Sequence, residues 1–129
     1  MKPDTAEWVA KAEGDYVVAT LAMRKRKDRK QIRDAICYHC QQSAEKYLKG
    51  RLVEAGVAFP HTHDLKRILA LTLPLEPLWS ALEPAAKFLT NCAVVFRYPG
   101  QTASERDAKS AITHCKTIRT EVRHALGLK

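Results

Sequence analysis

Apolar residues along this chain recur with a helical period, and they do so most regularly between Gln31 and Gly56. Ile32, Ile36, Cys40, Ala44, Leu48 and Leu52 stand four apart, and Ala35, Tyr47 and Ala55 widen the stripe. That spacing predicts one long helix with a buried face. Gln41, Gln42, Glu45, Lys46 and Lys49 fall on the other side and read as a solvated face. Gly56 reads as the stop.

The same period recurs on either side. Trp8, Ala12, Tyr16, Ala19 and Met23 predict a first helix ending near Met23–Lys25, with Asp4 and Glu7 spaced as a capping box. A short third helix is expected over Asp64–Leu71, capped by Thr62 or His63. Leu78, Leu82, Ala85, Leu89, Cys92 and Phe96 predict a fourth helix over about Pro77–Phe96, with Pro84 either kinking it or marking its true start. Ala108, Ala111, Ile112, Cys115, Ile118, Val122 and Leu126 predict the last, opened by Thr102 with Glu105 and stopped by Gly127. No segment alternates with period two. The expected fold is all-α: a single up-and-down helical bundle, one domain over residues 1–129, of four long helices and one short one.

Composition narrows the class. With 46% apolar residues in 129 the chain can bury a core. No run approaches the roughly 18–20 apolar residues that cross a bilayer, and MKPDTAEW lacks a signal-peptide core. A cytoplasmic protein with reduced thiols, no membrane and no cofactor is expected. The net charge is +8, and RKRKDRK at 24–30 carries six basic residues and one acidic one, hence +5, leaving +3 elsewhere. Such a knot attracts polyanions, or is simply a solvated loop.

Candidate chemistry is sparse. Neither GxGxxG nor GxxxxGK[ST] occurs among the five glycines. Cys37 and Cys40, with Cys92, His114 and Cys115, could form a zinc site on paper. However, zinc pairs favour tight turns, whereas Cys40, Cys92 and Cys115 lie on buried helical stripes, so buried thiols and no metal are expected. His61 and His63 precede a helix, as caps or as anion donors. Arg97 stands before Tyr98-Pro99-Gly100, as a helix cap, an ion-pair partner or a phosphate fork.

Several stretches together resemble the HEPN domain, the higher eukaryotes and prokaryotes nucleotide-binding domain. They are Trp8, Ala12 and Asp15; Cys40-Gln41-Gln42-Ser43-Ala44-Glu45-Lys46-Tyr47-Leu48-Lys49; Thr62-His63-Asp64-Leu65; and Arg97-Tyr98-Pro99. The resemblance implies a helical bundle, often a homodimer, that binds a nucleotide or RNA and works beside a minimal nucleotidyltransferase partner in two-component, toxin–antitoxin-like systems. Some members are metal-independent ribonucleases that use an Arg and a His with four to six residues between them. At the family's position this chain keeps Arg97 but has no His within reach. Literal matches occur elsewhere, at Arg33–His39 and Arg119–His124. The expected ligand-binding residues are therefore Arg97 and Tyr98, flanked by Lys46, Lys49, His63 and Asp64, with no catalytic residue assigned. A ribonuclease with a displaced Arg–His pair, and a purely structural subunit, are the alternatives.

Overall fold

The structure, a computed structural model, describes residues 1–129. Five α-helices form: α1 (Pro3–Arg24), α2 (Arg29–Glu54), α3 (Leu65–Thr72), α4 (Glu83–Val95) and α5 (Glu105–Ala125), with a 3-10 turn at Pro77–Leu82 and no strand. The all-α reading holds. Pro84 marks the start of α4, because its missing N–H and fixed φ suit a first helical turn.

α2 is the axis of the bundle, since each of the other four helices packs against it. One apolar cluster of 25 buried residues runs through the molecule, and Ile36, Cys40, Ala44, Tyr47, Leu48 and Leu52 of α2 are fully buried within it. Truncating Leu48 to Ala there would cost about 2–5 kcal/mol, from lost transfer energy and the cavity left behind. α1 lies antiparallel to α2 at close range. A Cβ added to Gly50 would sit 3.3 Å from the Trp8 Cβ, so the absent side chain lets the two helices meet.

The solvated polar face expected on α2 is corrected by this central position. Gln41, Glu45 and Lys49 are buried, and only Gln42 and Lys46 of that face are partly open. The buried polar groups satisfy one another instead of water.

Three expected caps are also corrected. α1 begins at Pro3 without a side-chain cap of its own. Glu54, from the end of α2, takes that role by accepting from the Lys2 backbone N–H (2.9 Å) and the Thr5 hydroxyl (2.9 Å). α3 is capped by Asp64, whose carboxylate accepts from the Lys66 N–H at 3.0 Å, while Thr62 braces Asp64 itself. α5 opens with a Ser104–Asp107 capping box. Glu105 cannot turn back to Thr102, because Arg29 and Arg33 hold its carboxylate.

Those last ion pairs bring two loops to one end of the bundle. The α4–α5 connection is fastened further by the Ala103 N–H, which donates to Asp34 at 2.7 Å. It therefore lies beside the α1–α2 turn. Of that turn's six cations, Arg29 is ion-paired and the other five are exposed.

Candidate anion-binding site

α2 and α4 run side by side with the loop before α3 closing over them, and a niche of about 90 Å³ opens between the three. Its lining is Tyr38, Gln41, Gln42, His63, Ala93 and Arg97. Arg97 sits two residues past the end of α4, where it is exposed and makes no hydrogen bond or ion pair. Neither helix capping nor a carboxylate claims it. Its fork of donors is free for a planar or tetrahedral oxyanion.

The opposite wall is built from a buried ladder. Glu45 accepts from Lys49 Nζ (3.0 Å) on one carboxylate oxygen. Its other oxygen accepts from Gln41 Nε2 (3.0 Å) and His63 Nδ1 (2.8 Å). Gln41 Nε2 also donates to the His63 carbonyl at 3.1 Å, and Gln42 donates to Gln41 at 2.7 Å. An ionised carboxylate has only lone pairs to offer, so Nδ1 of His63 carries the hydrogen. Nε2 is left unpaired on a ring whose side chain is 72% exposed. The ladder thus fixes the imidazole's orientation and leaves its outer nitrogen without a protein partner.

The expected site residues separate into two groups. Arg97 and His63 come together. Tyr98 is exposed beside Arg97 but lies outside the niche. Asp64 is the α3 cap. Lys49 is spent on Glu45, with its ammonium also 5.8 Å from the Trp8 ring and 5.5 Å from that of Phe59. Lys46 pairs with Asp15 at 2.6 Å, and Asp15 holds His39 Nδ1 at 2.8 Å with its other oxygen. Sequence reasoning missed Tyr38, Gln41 and Gln42 as lining residues. The spacing of Tyr38 and Gln42, four apart on one helix face, was the available signal.

Neither literal Arg–His match forms a free pair. Arg33 is bound to Glu105 at 3.2 Å while His39 faces Asp15. Arg119 grips Glu13 through two bonds of 2.8 and 2.7 Å. His124 lines a separate cavity of about 450 Å³ with Glu76 and Glu121, whose carboxylates disfavour an anion. A further cavity of about 360 Å³ is lined by Asp4 and Glu7. No three His, Cys, Asp or Glu side chains gather to hold a metal ion, and all four cysteines are buried free thiols. No helix is long and apolar enough to cross a membrane.

In this helical bundle the Arg97 guanidinium and the His63 Nε2 are thus left without protein partners beside a niche of about 90 Å³. The family model of the HEPN domain matches residues 5–125, and the chain belongs to that family. Among solved structures it is similar to ST0689, described as an archaeal HEPN homologue, at 27% identity over 97% of this chain and 98% of that one, with a TM-score of 0.71. It is also similar to TT1696 from Thermus thermophilus, at 24% identity over 95% and 98% of the two chains, with a TM-score of 0.70; that likeness shows the fold. No curated protein matches the chain.

Proposed function

We propose that this HEPN domain binds a phosphate of a nucleotide or RNA between Arg97 and His63. The observation that carries the reading is Arg97 itself, open and without a partner in a niche where Gln41, Gln42 and the His63 Nδ1 are already matched. A volume of about 90 Å³ suits one phosphate group. A whole drug-sized ligand fills roughly 300–1,000 Å³, so the base and sugar would lie outside. There the exposed rings of Tyr38 and Tyr98 are available for stacking. The five exposed cations of the α1–α2 turn add a sequence-independent attraction for a polyanion, at the same end as Arg97.

The reading extends to partners. Val17, Val18 and Leu21 of α1 and Val94 and Val95 of α4 are exposed apolar residues, which supports self-association as a homodimer. A nucleotidyltransferase partner, within a two-component system, is supported by family membership. Titration of a short single-stranded RNA and of a mononucleotide by calorimetry tests the site. Wild type should release heat, and Arg97→Ala should bind at least roughly tenfold more weakly, the scale of one charge-assisted contact. Equal affinities would remove the site.

One observation favours ribonuclease activity as a second reading. Asp15 fixes His39 through Nδ1, so Nε2 is presented as an acid or base, with Lys46 on the same carboxylate. RNA incubated with a chelator would then be cleaved by wild type and spared by His39→Ala. Intact RNA with both proteins removes this reading.

A further inference from the structure

The hydrogen bonds beside the niche fix which atoms its polar groups have left to offer. Gln41 Nε2 gives both of its hydrogens to atoms that only accept, Glu45 Oε1 at 3.0 Å and the His63 carbonyl at 3.1 Å. The Gln41 amide is therefore set with its oxygen toward Gln42, whose Nε2 donates to it at 2.7 Å. Gln42 keeps its own Oε1 and one Nε2 hydrogen without a protein partner. His63 gives its Nδ1 hydrogen to Glu45 at 2.8 Å, while Lys49 donates to the other Glu45 oxygen at 3.0 Å. In the neutral ring Nε2 is then a bare lone pair.

The niche thus presents a free guanidinium, which only donates, together with two free acceptors, His63 Nε2 and Gln42 Oε1. The Tyr38 hydroxyl can serve either way. A phosphodiester offers acceptors alone, so it satisfies Arg97 and leaves both acceptors unmet. The complement is a phosphate with a hydrogen donor beside it. A ribonucleotide carries that pair, because its 2′-hydroxyl stands on the carbon next to the one that bears the 3′-phosphate. Deoxyribose has no such hydroxyl. The dimensions agree. About 90 Å³ takes the phosphate and leaves the sugar outside. The His63 side chain is 72% exposed and Gln42 is half-buried, so both can be met from outside.

We propose that His63 Nε2 and Gln42 Oε1 recognise the ribose hydroxyl beside the phosphate held by Arg97, so that the site selects RNA over DNA. This selectivity rests on the phosphate reading above. It makes His63 a reader of the sugar, with Arg97 supplying the charge.

Titration of the full chain with three unphosphorylated strands of one sequence tests the selectivity: RNA, its fully 2′-fluoro analogue and DNA. Fluorine keeps the ribose pucker and removes the donor hydrogen. A second proton on the ring would turn Nε2 into a donor, so the titrations are run at pH 8. Wild type should bind RNA roughly fivefold more tightly than the 2′-fluoro strand, the scale of one neutral hydrogen bond, and DNA no better than the 2′-fluoro strand. His63→Ala removes the acceptor and His63→Lys replaces it by a donor; each should bring the RNA to 2′-fluoro ratio close to one. Gln42→Leu should lower the ratio in the same direction. Equal wild-type affinities for RNA and the 2′-fluoro strand overturn the proposal, as does a preference that survives both His63 variants. A 5′-phosphorylated DNA that binds as tightly as RNA overturns it too, since the site would then be reading a terminal phosphate. Binding that is absent from every strand, or indifferent to Arg97→Ala, overturns the phosphate reading and the selectivity with it. Arg97-dependent binding without a ribose preference overturns the selectivity alone.

Discussion

Arg97 and Arg119 share a side chain and partial access to solvent, yet they occupy opposite kinds of surroundings. Arg119, on α5, grips both oxygens of Glu13 on α1 and lies 4.4 Å over the Tyr16 ring. The Tyr47 hydroxyl and Arg123 complete a closed cluster on the same carboxylate. Arg119 and Tyr47 both donate to Glu13 and Arg123 donates to Tyr47, so the cluster fastens α1, α2 and α5 together with its carboxylate already taken. Arg97 has no such carboxylate, and Glu45, Gln41 and Gln42 beside the same niche are matched among themselves. A guanidinium that is not neutralised is available for an external anion, whereas a neutralised one is a structural tie.

Exchanging the two outcomes breaks the comparison most directly. Arg119→Met should lower unfolding stability by about 2–3 kcal/mol, because Glu13 keeps its charge and loses its main partner. The midpoint of urea unfolding reads this, and RNA affinity of the folded protein should stay unchanged. Arg97→Ala should do the reverse, with the affinity loss stated above and a stability change within about 0.5 kcal/mol. If Arg97→Ala also destabilised the fold by as much as Arg119→Met, the contrast would collapse.

Acid sharpens the same contrast. The Arg119 hydrogen bonds hold the Glu13 carboxyl below its ordinary 4.5, with Tyr47 and Arg123 helping and partial burial opposing. A depressed folded pKa gives stability that is present above 4.5 and lost as pH falls below it. The stability gap between wild type and Glu13→Gln should therefore narrow as pH drops from 5 toward 2. A gap that stays constant would show that the cluster holds no charge-dependent stability. The Tyr47 phenol is pushed up to about 12, first by burial and then by its bond to Glu13. Between its ordinary 10 and that value the folded state keeps a proton that the unfolded chain gives up, so stability falls as pH rises through this window.

The smallest effect belongs to the basic turn. Replacing Lys25 and Lys27 by Gln should leave stability intact and weaken RNA binding at low salt. It should also reduce the slope of log affinity against log salt by up to about 2. An unchanged slope would mean the turn is a solvated loop.

Helix placement was legible because apolar spacing reports burial along one element at a time. α1 ends within the expected Met23–Lys25, α2 opens two residues before Gln31, and Gly56 and Gly127 adopt the positive φ that stops a helix. The caps were misread because a capping carboxylate can be claimed from far along the chain, as Glu105 is by Arg29 and Arg33. Similarly, Gln41, Glu45 and Lys49 looked solvated. A polar triplet spaced four apart reads the same whether water or its own members satisfy it, and only the central position of α2 decides. Arg97 and His63 were accessible through the family resemblance. The tie from Asp15 to His39 and Lys46 was not, since it joins two helices across separations of 24 and 31 positions.

The close crossing of α1 and α2 at Gly50 also has a mechanical result. With no side chain to cushion the contact, the distance between the two helices is set by Trp8 against the α2 backbone, and any larger residue at position 50 would force them apart.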